Sequence, residues 1–152
     1  MSEVDLQLVV RKADSSDLDA VLRLYASIGA PTDRSLDRDE ALALFDRIAA
    51  DPDQHIYVAL VDTRLVGTFM LAILPNLAHG GAPVAIVESV VVDPEWRGRG
   101  LGRRMMLWAI ETSRRAGCYK LALSSNVART DAHRFYERLG FERHGYSFRL
   151  LL

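Results

Sequence analysis

One glycine- and arginine-rich stretch has the composition of a phosphate-binding turn. The segment "VVVDPEWRGRGLGRRMM" runs from Val90 to Met106, between an apolar run and a helical pattern. It holds three glycines and four arginines: Gly98, Gly100, Gly102, Arg97, Arg99, Arg103 and Arg104. A helix start has unpaired N–H groups and a positive partial charge, and glycine lets an anion approach that backbone closely. Because arginine donors also suit phosphate, the stretch predicts a cradle for a diphosphate.

Two common nucleotide-binding motifs do not describe this turn. The dinucleotide fingerprint requires glycine at its first, third and sixth positions. Gly98 and Gly100 match the first two, but Arg103 occupies the sixth, and no acidic residue stands near Lys120, where the ribose partner would be. The Gly-Lys-Ser/Thr ending of nucleoside-triphosphate loops is also missing from the sequence. A tight turn with a solvated arginine face is the structural alternative.

Glu88 is the one charged residue inside the apolar run "VAIVESVVV". Strict alternation along a strand predicts that it shares a face with Ile86, Val90 and Val92. A buried carboxylate is costly unless it is paired or functional, and burial raises its pKa towards that of a general base. The sequence therefore predicts a catalytic base, with a buried ion pair or a strand end reaching water as the alternatives.

Hydrophobic periodicity predicts alternating strands and helices along the whole chain. The predicted order is β-α-α-β-β-β-α-β-α-β-β, a mixed α/β (α+β) sheet. The predicted strands are Leu6–Ala13, His55–Val61, Leu65–Leu74, Val84–Val92, Tyr119–Ser125 and a hairpin over Phe141–Leu152; the predicted helices are Ser15–Gly29, Glu40–Asp51, Gly100–Ala116 and Thr130–Gly140. Gly29 and Gly140 are predicted to end their helices, and residues 30–39 are predicted to form a polar loop.

Composition excludes several classes of protein. The chain has 152 residues, 49% of them hydrophobic and 26% charged, with a net charge of −1, which suits one globular domain. The balanced charge and the lack of a nucleic-acid motif argue against a nucleic-acid binder. A single cysteine, Cys118, excludes an intrachain disulfide, and the scattered histidines lack metal-ligand spacing. With no signal-like start and no long apolar segment, we expect a cytoplasmic protein that does not bind membranes.

The sequence resembles the GNAT superfamily of N-acetyltransferases at two motifs. "VVVDPEWRGRGLG" is similar to the family's acetyl-CoA signature, Arg/Gln-x-x-Gly-x-Gly/Ala, read here as Arg97, Gly100 and Gly102. "AHRFYERLGFE" resembles its C-terminal helix motif. The resemblance implies a mixed, mostly antiparallel central sheet of about seven strands flanked by four helices, in one domain over residues 1–152. It also implies transfer of an acetyl group from acetyl-CoA, without a metal, to an amine.

The resemblance further implies where the cofactor lies. Its diphosphate would lie on the backbone from Gly98 through Arg99, Gly100, Leu101 and Gly102 to Arg103, with Arg97 nearby. The pantetheine arm would pair with backbone groups around Val90 and Val92, between two strands that splay apart. Many members carry asparagine where this chain has Arg129, so Asn126 is the nearest amide that could contact the cofactor.

Tyr136 is the second catalytic candidate. Its place on the apolar stripe of the last predicted helix favours core packing. The resemblance instead implies a general acid that protonates the leaving thiolate. His133, His79 and Cys118 are interpreted as structural or exposed residues.

The sequence does not identify the molecule that accepts the acetyl group. We expect a primary amine of a small molecule, such as an aminosugar, an amino acid or a polyamine. A noncatalytic CoA-binding or regulatory module, and an enzyme acting on protein N-termini or lysines, are the alternatives. The family resemblance, and not any residue pattern, makes a homodimer an expectation.

Overall fold

The computed structural model describes residues 7–28 and 35–152. Its strands are β1 (Leu8–Lys12), β2 (Gln54–Val61), β3 (Arg64–Leu74), β4 (Val84–Val92) and β5 (Lys120–Ala122). Its α-helices are α1 (Leu18–Ala26), α2 (Arg38–Ala50), α3 (Leu101–Arg115) and α4 (Thr130–Arg138). Single turns of 3₁₀-helix lie at Ser15–Asp17, His79–Gly81 and Pro94–Trp96. None of the helices in the described ranges is long and apolar enough to cross a membrane.

The strands form one sheet in the order β1-β2-β3-β4-β5. Each of the strands β1 to β4 pairs antiparallel with the next one in this order. β5 joins β4 in parallel after the crossover through α3, and it pairs over three residues only, Val84 to Ile86 of β4 with Lys120 to Ala122. The sheet is therefore mixed and mostly antiparallel, as expected.

Helices cover both faces of the sheet. Gly67, Phe69 and Leu71 of β3 share one face, where the Trp108 ring of α3 lies 6.0 Å from that of Phe69. Thr68 and Met70 share the other face, which carries α1 and α2. There Leu18, Ala41 and Phe45 form a buried cluster with Ile56 of β2. Fully buried side chains from both layers, including Val21, Val58, Val66, Phe69, Leu71, Met105 and Met106, make up the core.

Gly67 lets α3 approach the sheet closely. A Cβ at this position would lie 2.7 Å from Met105 Sδ and 3.1 Å from the Val91 carbonyl oxygen. Both distances are shorter than ordinary packing allows. Glycine at position 67 therefore fixes α3, whose N-terminus follows the glycine-rich turn, at short distance from β3 and β4.

The predicted fold class is confirmed, whereas two details of the prediction are wrong. The described residues form five strands, not about seven, and the last predicted strand before α4 is shortened to Lys120–Ala122. Residues 141–152 form no hairpin and no strand. An alternating pattern alone does not make a strand, because an isolated two-stranded hairpin is marginal in water. The predicted strand start at Leu6, the cap at Gly29 and residues 30–34 of the polar loop lie outside the described residues.

The chain divides into two compact units, Met1–Ala122 and Leu123–Leu152. The sheet, α1 to α3 and the glycine-rich turn belong to the first unit. α4 and the residues after it belong to the second.

Candidate active site

A bulge interrupts β4 next to Glu88. The pairs Met70–Glu88 and Thr68–Val91 show that two residues of β4, Ser89 and Val90, stand opposite the single residue Phe69 of β3. Ser89 has a φ of 53°, in the left-handed region that serine seldom adopts. An extra residue of this kind bends a strand and changes which face the following side chains occupy. Holding serine in this conformation costs about 1–2 kcal/mol, which the surrounding sheet must offset.

The bulge corrects the predicted environment of Glu88. Cross-strand pairing places Glu88 on the face of Met70, together with Val91, while Val92 pairs with Gly67 on the opposite face. Glu88 therefore does not share a face with Val92, and its side chain is exposed. The prediction that its carboxylate is buried is wrong, because alternation cannot anticipate an inserted residue. Glu88 remains next to the bulge on the sheet face that carries α1.

The outer edge of β4 is open beyond Ile86. In the described part of the chain, no strand pairs with that edge from Val87 to Val92. The Asp93 N–H donates to the Val66 carbonyl of β3 at 2.8 Å, so in a trans peptide the Val92 carbonyl points to the opposite, open side. Arg97 Nε donates to this carbonyl at 3.3 Å. The Val92 carbonyl thus faces the open side of β4, where its second lone pair is left for an extended guest.

The glycine-rich turn has the backbone that the sequence predicts. Gly98 and Gly100 have φ values of 74° and 73°, which glycine adopts without strain. A Cβ built on either residue would meet no atom within 4 Å. Gly100 is the N-cap of α3 and supplies no side-chain hydrogen bond to it. The N-terminus of a fifteen-residue helix therefore opens onto unfilled space.

The charges around this turn favour an anion. No acidic residue lies in the first turn of α3, where negative side chains are stabilising, whereas Arg103 and Arg104 do. Asp93 and Glu95, just before the turn, are both paired with Arg64, whose Nη2 lies 3.7 Å and 2.8 Å from their carboxylates. Arg103 is exposed and makes no hydrogen bond or ion pair with the described residues. The positive charge of Arg103 is therefore left uncompensated within the described part of the chain.

These observations fit the diphosphate of acetyl-CoA. Open space over Gly98 and Gly100, a helix N-terminus without a side-chain cap and the exposed Arg103 are features of an anion-binding turn. Leu101 is buried under the turn, next to Val61 and Val66, so it anchors the cradle rather than contacting a guest through its side chain. Trp96 is half-buried, and the guanidinium groups of Arg64 and Arg99 lie over its ring, 5.5 Å and 4.7 Å from the ring centre.

In the second unit, α4 holds Tyr136 in an aromatic cluster. Its ring lies 5.1 Å from that of Phe135 and 5.7 Å from that of Phe141, centre to centre. Burial raises the pKa of Tyr136, and the positive charge of Arg129 partly opposes that rise. The hydroxyl is therefore protonated at neutral pH, which is the state that a general acid needs.

Asn126 has a local structural role at the start of α4. Its Oδ1 accepts from the Ala128 N–H at 2.9 Å, and its carbonyl lies 2.8 Å from His133 Nε2. These contacts bind the loop to the helix. Arg129, the N-cap residue of α4, forms no ion pair with the residues that the structure describes but acts electrostatically on Tyr136. At the start of α4, Arg129 is thus a better candidate than Asn126 for a functional role. Contact of Asn126 with a cofactor stays a prediction.

The other residues with reactive side chains show structural contacts. His79 stacks on Tyr119 with ring centres 4.0 Å apart. Burial raises the pKa of the Cys118 thiol, which disfavours the nucleophilic thiolate. Within residues 7–28 and 35–152, no group of three or more histidine, cysteine or acidic side chains is placed to hold a metal ion.

Ser89 is the site feature that sequence reasoning missed. A serine within a valine-rich run carries no local signal for a positive φ, because the bulge arises from how β3 and β4 pair. Arg64 was also missed. Its pairing with Asp93 and Glu95 joins residues 29 or more positions apart in the sequence, so no spacing pattern announces it.

Comparison with known families decides the assignment. The model of the acetyltransferase (GNAT) family matches residues 18–141. The chain belongs to this family. The match covers the first motif and all but the last residue of the second, and the GNAT chain is accordingly an acyltransferase of a family that uses acetyl-CoA.

Named relatives of this GNAT chain are N-acetyltransferases. An aminoalkylphosphonate N-acetyltransferase from Salmonella typhimurium is 33% identical over 139 residues, covering 91% of this chain and 88% of that one. A glucosamine 6-phosphate N-acetyltransferase from Trypanosoma brucei brucei is 44% identical over 87 residues, or 57% of each chain. The crystal structure of a Trypanosoma brucei acetyltransferase superposes with a TM-score of 0.83 at 34% identity, covering 96% of this chain and all of that one.

Proposed function

We propose that this protein transfers the acetyl group of acetyl-CoA directly to the primary amine of a small molecule. The proposal rests on one observation, that two features lie next to each other along the chain in the first unit. One is an uncapped helix N-terminus with open space over Gly98 and Gly100. The other is the open edge of β4 immediately before it. A diphosphate and an extended, amide-bearing arm need these two surfaces in this order.

The cofactor contacts we propose follow from the local geometry. Backbone N–H groups from Gly98 to Arg103 would receive the diphosphate, and Arg97 and Arg99 would add charge. Backbone groups at Val90 and Val92 would pair with the pantetheine amides as an added strand does. When bound, acetyl-CoA supplies an activated acyl group as a thioester.

The chemistry requires a neutral amine, a stabilised oxyanion and a protonated leaving group. We propose Glu88 as the group that accepts the ammonium proton, directly or through water, since it is exposed beside the bulge. A backbone N–H near Val90 would stabilise the oxyanion. Tyr136 would donate the proton that the leaving thiolate takes up as the C–S bond breaks and the C–N bond forms.

The acceptor class is supported by the relatives. Glucosamine 6-phosphate and aminoalkylphosphonates, the substrates in two of their names, are small molecules with an amine and a phosphorus-based anion. We therefore place small primary amines, and aminosugar phosphates and aminoalkylphosphonates among them, before amino acids, polyamines and protein N-termini. A noncatalytic CoA-binding module is the less favoured alternative, because the relatives carry enzyme names. A cytoplasmic location and a single domain over residues 1–152 remain predictions.

The test is thiol release from acetyl-CoA across a panel of amines. The panel should hold aminosugars with and without phosphate, aminoalkylphosphonates, amino acids, polyamines, aminoglycosides and peptides with a free N-terminus or lysine. Mass spectrometry of the product identifies the acetylated nitrogen, and reactions without amine measure background hydrolysis. Thiol release with small amines supports the proposal. Release with peptides alone would make the protein acceptor correct, and tight CoA binding without turnover on any amine would favour the noncatalytic module.

A further inference from the structure

Arg64 links the β2–β3 hairpin to the segment that leads into the glycine-rich turn. It is the first residue of β3, and its Nη2 lies 2.8 Å from Glu95 Oε2 and 3.7 Å from Asp93 Oδ2. The Arg64 guanidinium group also lies over the Trp96 ring, 5.5 Å from its centre. All four residues belong to the first unit, Met1–Ala122. A residue of β3 is thus paired with both acidic side chains that precede the turn.

The backbone of this segment is fixed by contacts that do not involve Arg64. The Asp93 N–H donates to the Val66 carbonyl at 2.8 Å, and the Trp96 N–H donates to the Asp93 carbonyl at 2.8 Å. Asp93 Oδ1 accepts from the Glu95 N–H at 2.9 Å, which caps the single 3₁₀ turn there. The Trp96 side chain packs against the buried residues Val61, Val66 and Leu101. Holding this backbone in place therefore does not explain the pairing of Arg64 with two carboxylates.

Asp93 and Glu95 are unfavourable neighbours for a bound diphosphate unless their charge is cancelled. Glu95 stands three residues before Gly98, so the two Cα atoms are at most about 11 Å apart. At this distance a carboxylate repels a phosphate, most strongly at low ionic strength, because the Debye length is about 30 Å in 0.01 M salt. Both carboxylates pair with the same cation, Arg64. Its charge offsets their repulsion at the entrance to the turn.

We propose that Arg64 is a positioning residue for cofactor binding. It holds the carboxylates of Asp93 and Glu95 towards the β2–β3 hairpin and cancels part of their charge, so that the glycine-rich turn accepts a diphosphate. The inference rests on the proposed function, because it takes the turn to be the binding site of the acetyl-CoA diphosphate. By Coulomb's law in water, one positive charge about 10 Å from two phosphate charges changes affinity about fourfold before screening by salt.

A mechanical link between hairpin and turn is the alternative role for Arg64. The two roles predict opposite effects of Glu95→Gln. A mechanical link would be broken from either side, so loss of the Glu95 charge would weaken cofactor binding. Charge cancellation predicts tighter binding, because a repelling carboxylate is removed. The exposure of the pair favours cancellation: the side chains of Arg64 and Glu95 are 55% and 76% exposed, and ion pairs this exposed hold structure only weakly.

The experiment measures CoA affinity by isothermal titration calorimetry in about 0.01 M salt. Arg64→Gln should bind CoA roughly threefold more weakly than the wild type, and Glu95→Gln roughly threefold more tightly. The double variant Arg64→Gln/Glu95→Gln should return to nearly wild-type affinity, and Arg64→Lys, which keeps the charge, should stay close to it. In about 1 M salt, where the Debye length is about 3 Å, all five affinities should converge.

Arg115→Gln is the matched control. Arg115 also forms an exposed ion pair, with Glu111 at 3.0 Å, but it ends α3 about 20 Å from the turn, so its loss should change affinity less than about 1.5-fold. Circular dichroism should show the same fold in every variant. Wild-type CoA binding with unchanged affinity in Arg64→Gln, or weaker binding by Glu95→Gln, would overturn the role of Arg64 and leave the proposed function standing. Absence of CoA binding by the wild type would reject the cofactor site itself and this inference with it.

Discussion

Replacing Gly100 by valine should separate cofactor binding from folding. Gly100 has a φ of 73° and is the N-cap of α3. A Cβ at this position would meet no other atom within 4 Å. The substitution does force a β-branched residue into the left-handed region and fills the space where we place the diphosphate.

The expected magnitudes differ for the two effects. Backbone strain of this kind costs about 2 kcal/mol, which lowers Tm by roughly 4–8 °C in a chain of this length. Loss of two charge-assisted hydrogen bonds between the helix N-terminus and the diphosphate costs about 3 kcal/mol or more. At about 1.4 kcal/mol for each factor of ten, affinity for CoA should fall roughly a hundredfold or more.

Gly117→Val is the matched control. Gly117 follows the opposite end of α3, has a φ of 77° and likewise has no atom within 4 Å of a built Cβ. Both variants should lose similar stability by differential scanning calorimetry. Only Gly100→Val should lose heat of CoA binding in isothermal titration calorimetry. Near-normal affinity in Gly100→Val, or equal loss of affinity in both variants, would refute the cradle.

Four other outcomes test the remaining site residues. Tyr136→Phe should keep CoA affinity and lose about tenfold to a thousandfold in kcat; turnover at the wild-type rate would show that Tyr136 only packs the core. Glu88→Gln should bind CoA normally and be slow at neutral pH, with rate recovered at high pH, where an amine of pKa ~10.4 deprotonates by itself. An unchanged pH–rate profile would exclude Glu88 as the base. Ser89→Val should lose about 1–3 kcal/mol of stability at its positive φ, whereas Ser89→Asn, which tolerates that region, should melt near the wild type; equal melting would argue against strain at the bulge. Arg129→Gln should raise the pKa of Tyr136 further. The phenolate absorbance of Tyr136 is obtained by subtracting the titration of the double variant Arg129→Gln/Tyr136→Phe from that of Arg129→Gln. An unchanged pKa would show that Arg129 exerts no field at Tyr136.

The sequence alone determined the features that depend on neighbours along the chain. The turn from Arg97 to Gly102 and the helix after it were predicted correctly, because positive φ at glycine and the loss of a side-chain cap are local properties. The ends of β4 and the location of α4 followed in the same way from alternation, periodicity and the residues at their termini. Glycine and proline punctuation carries this information within a few positions.

Only the tertiary structure decided which surroundings each residue has. Strict alternation put Glu88 on the wrong face and in the wrong environment, since the face of a strand residue depends on register with its neighbour and the bulge at Ser89 changes that register. The last twelve residues were predicted to form a hairpin, but they form no strand. Alternation along the sequence does not ensure that a segment pairs with another strand. Local preferences specify turns and helix ends, whereas pairing and burial arise from segments far apart along the chain and are settled only when those segments meet.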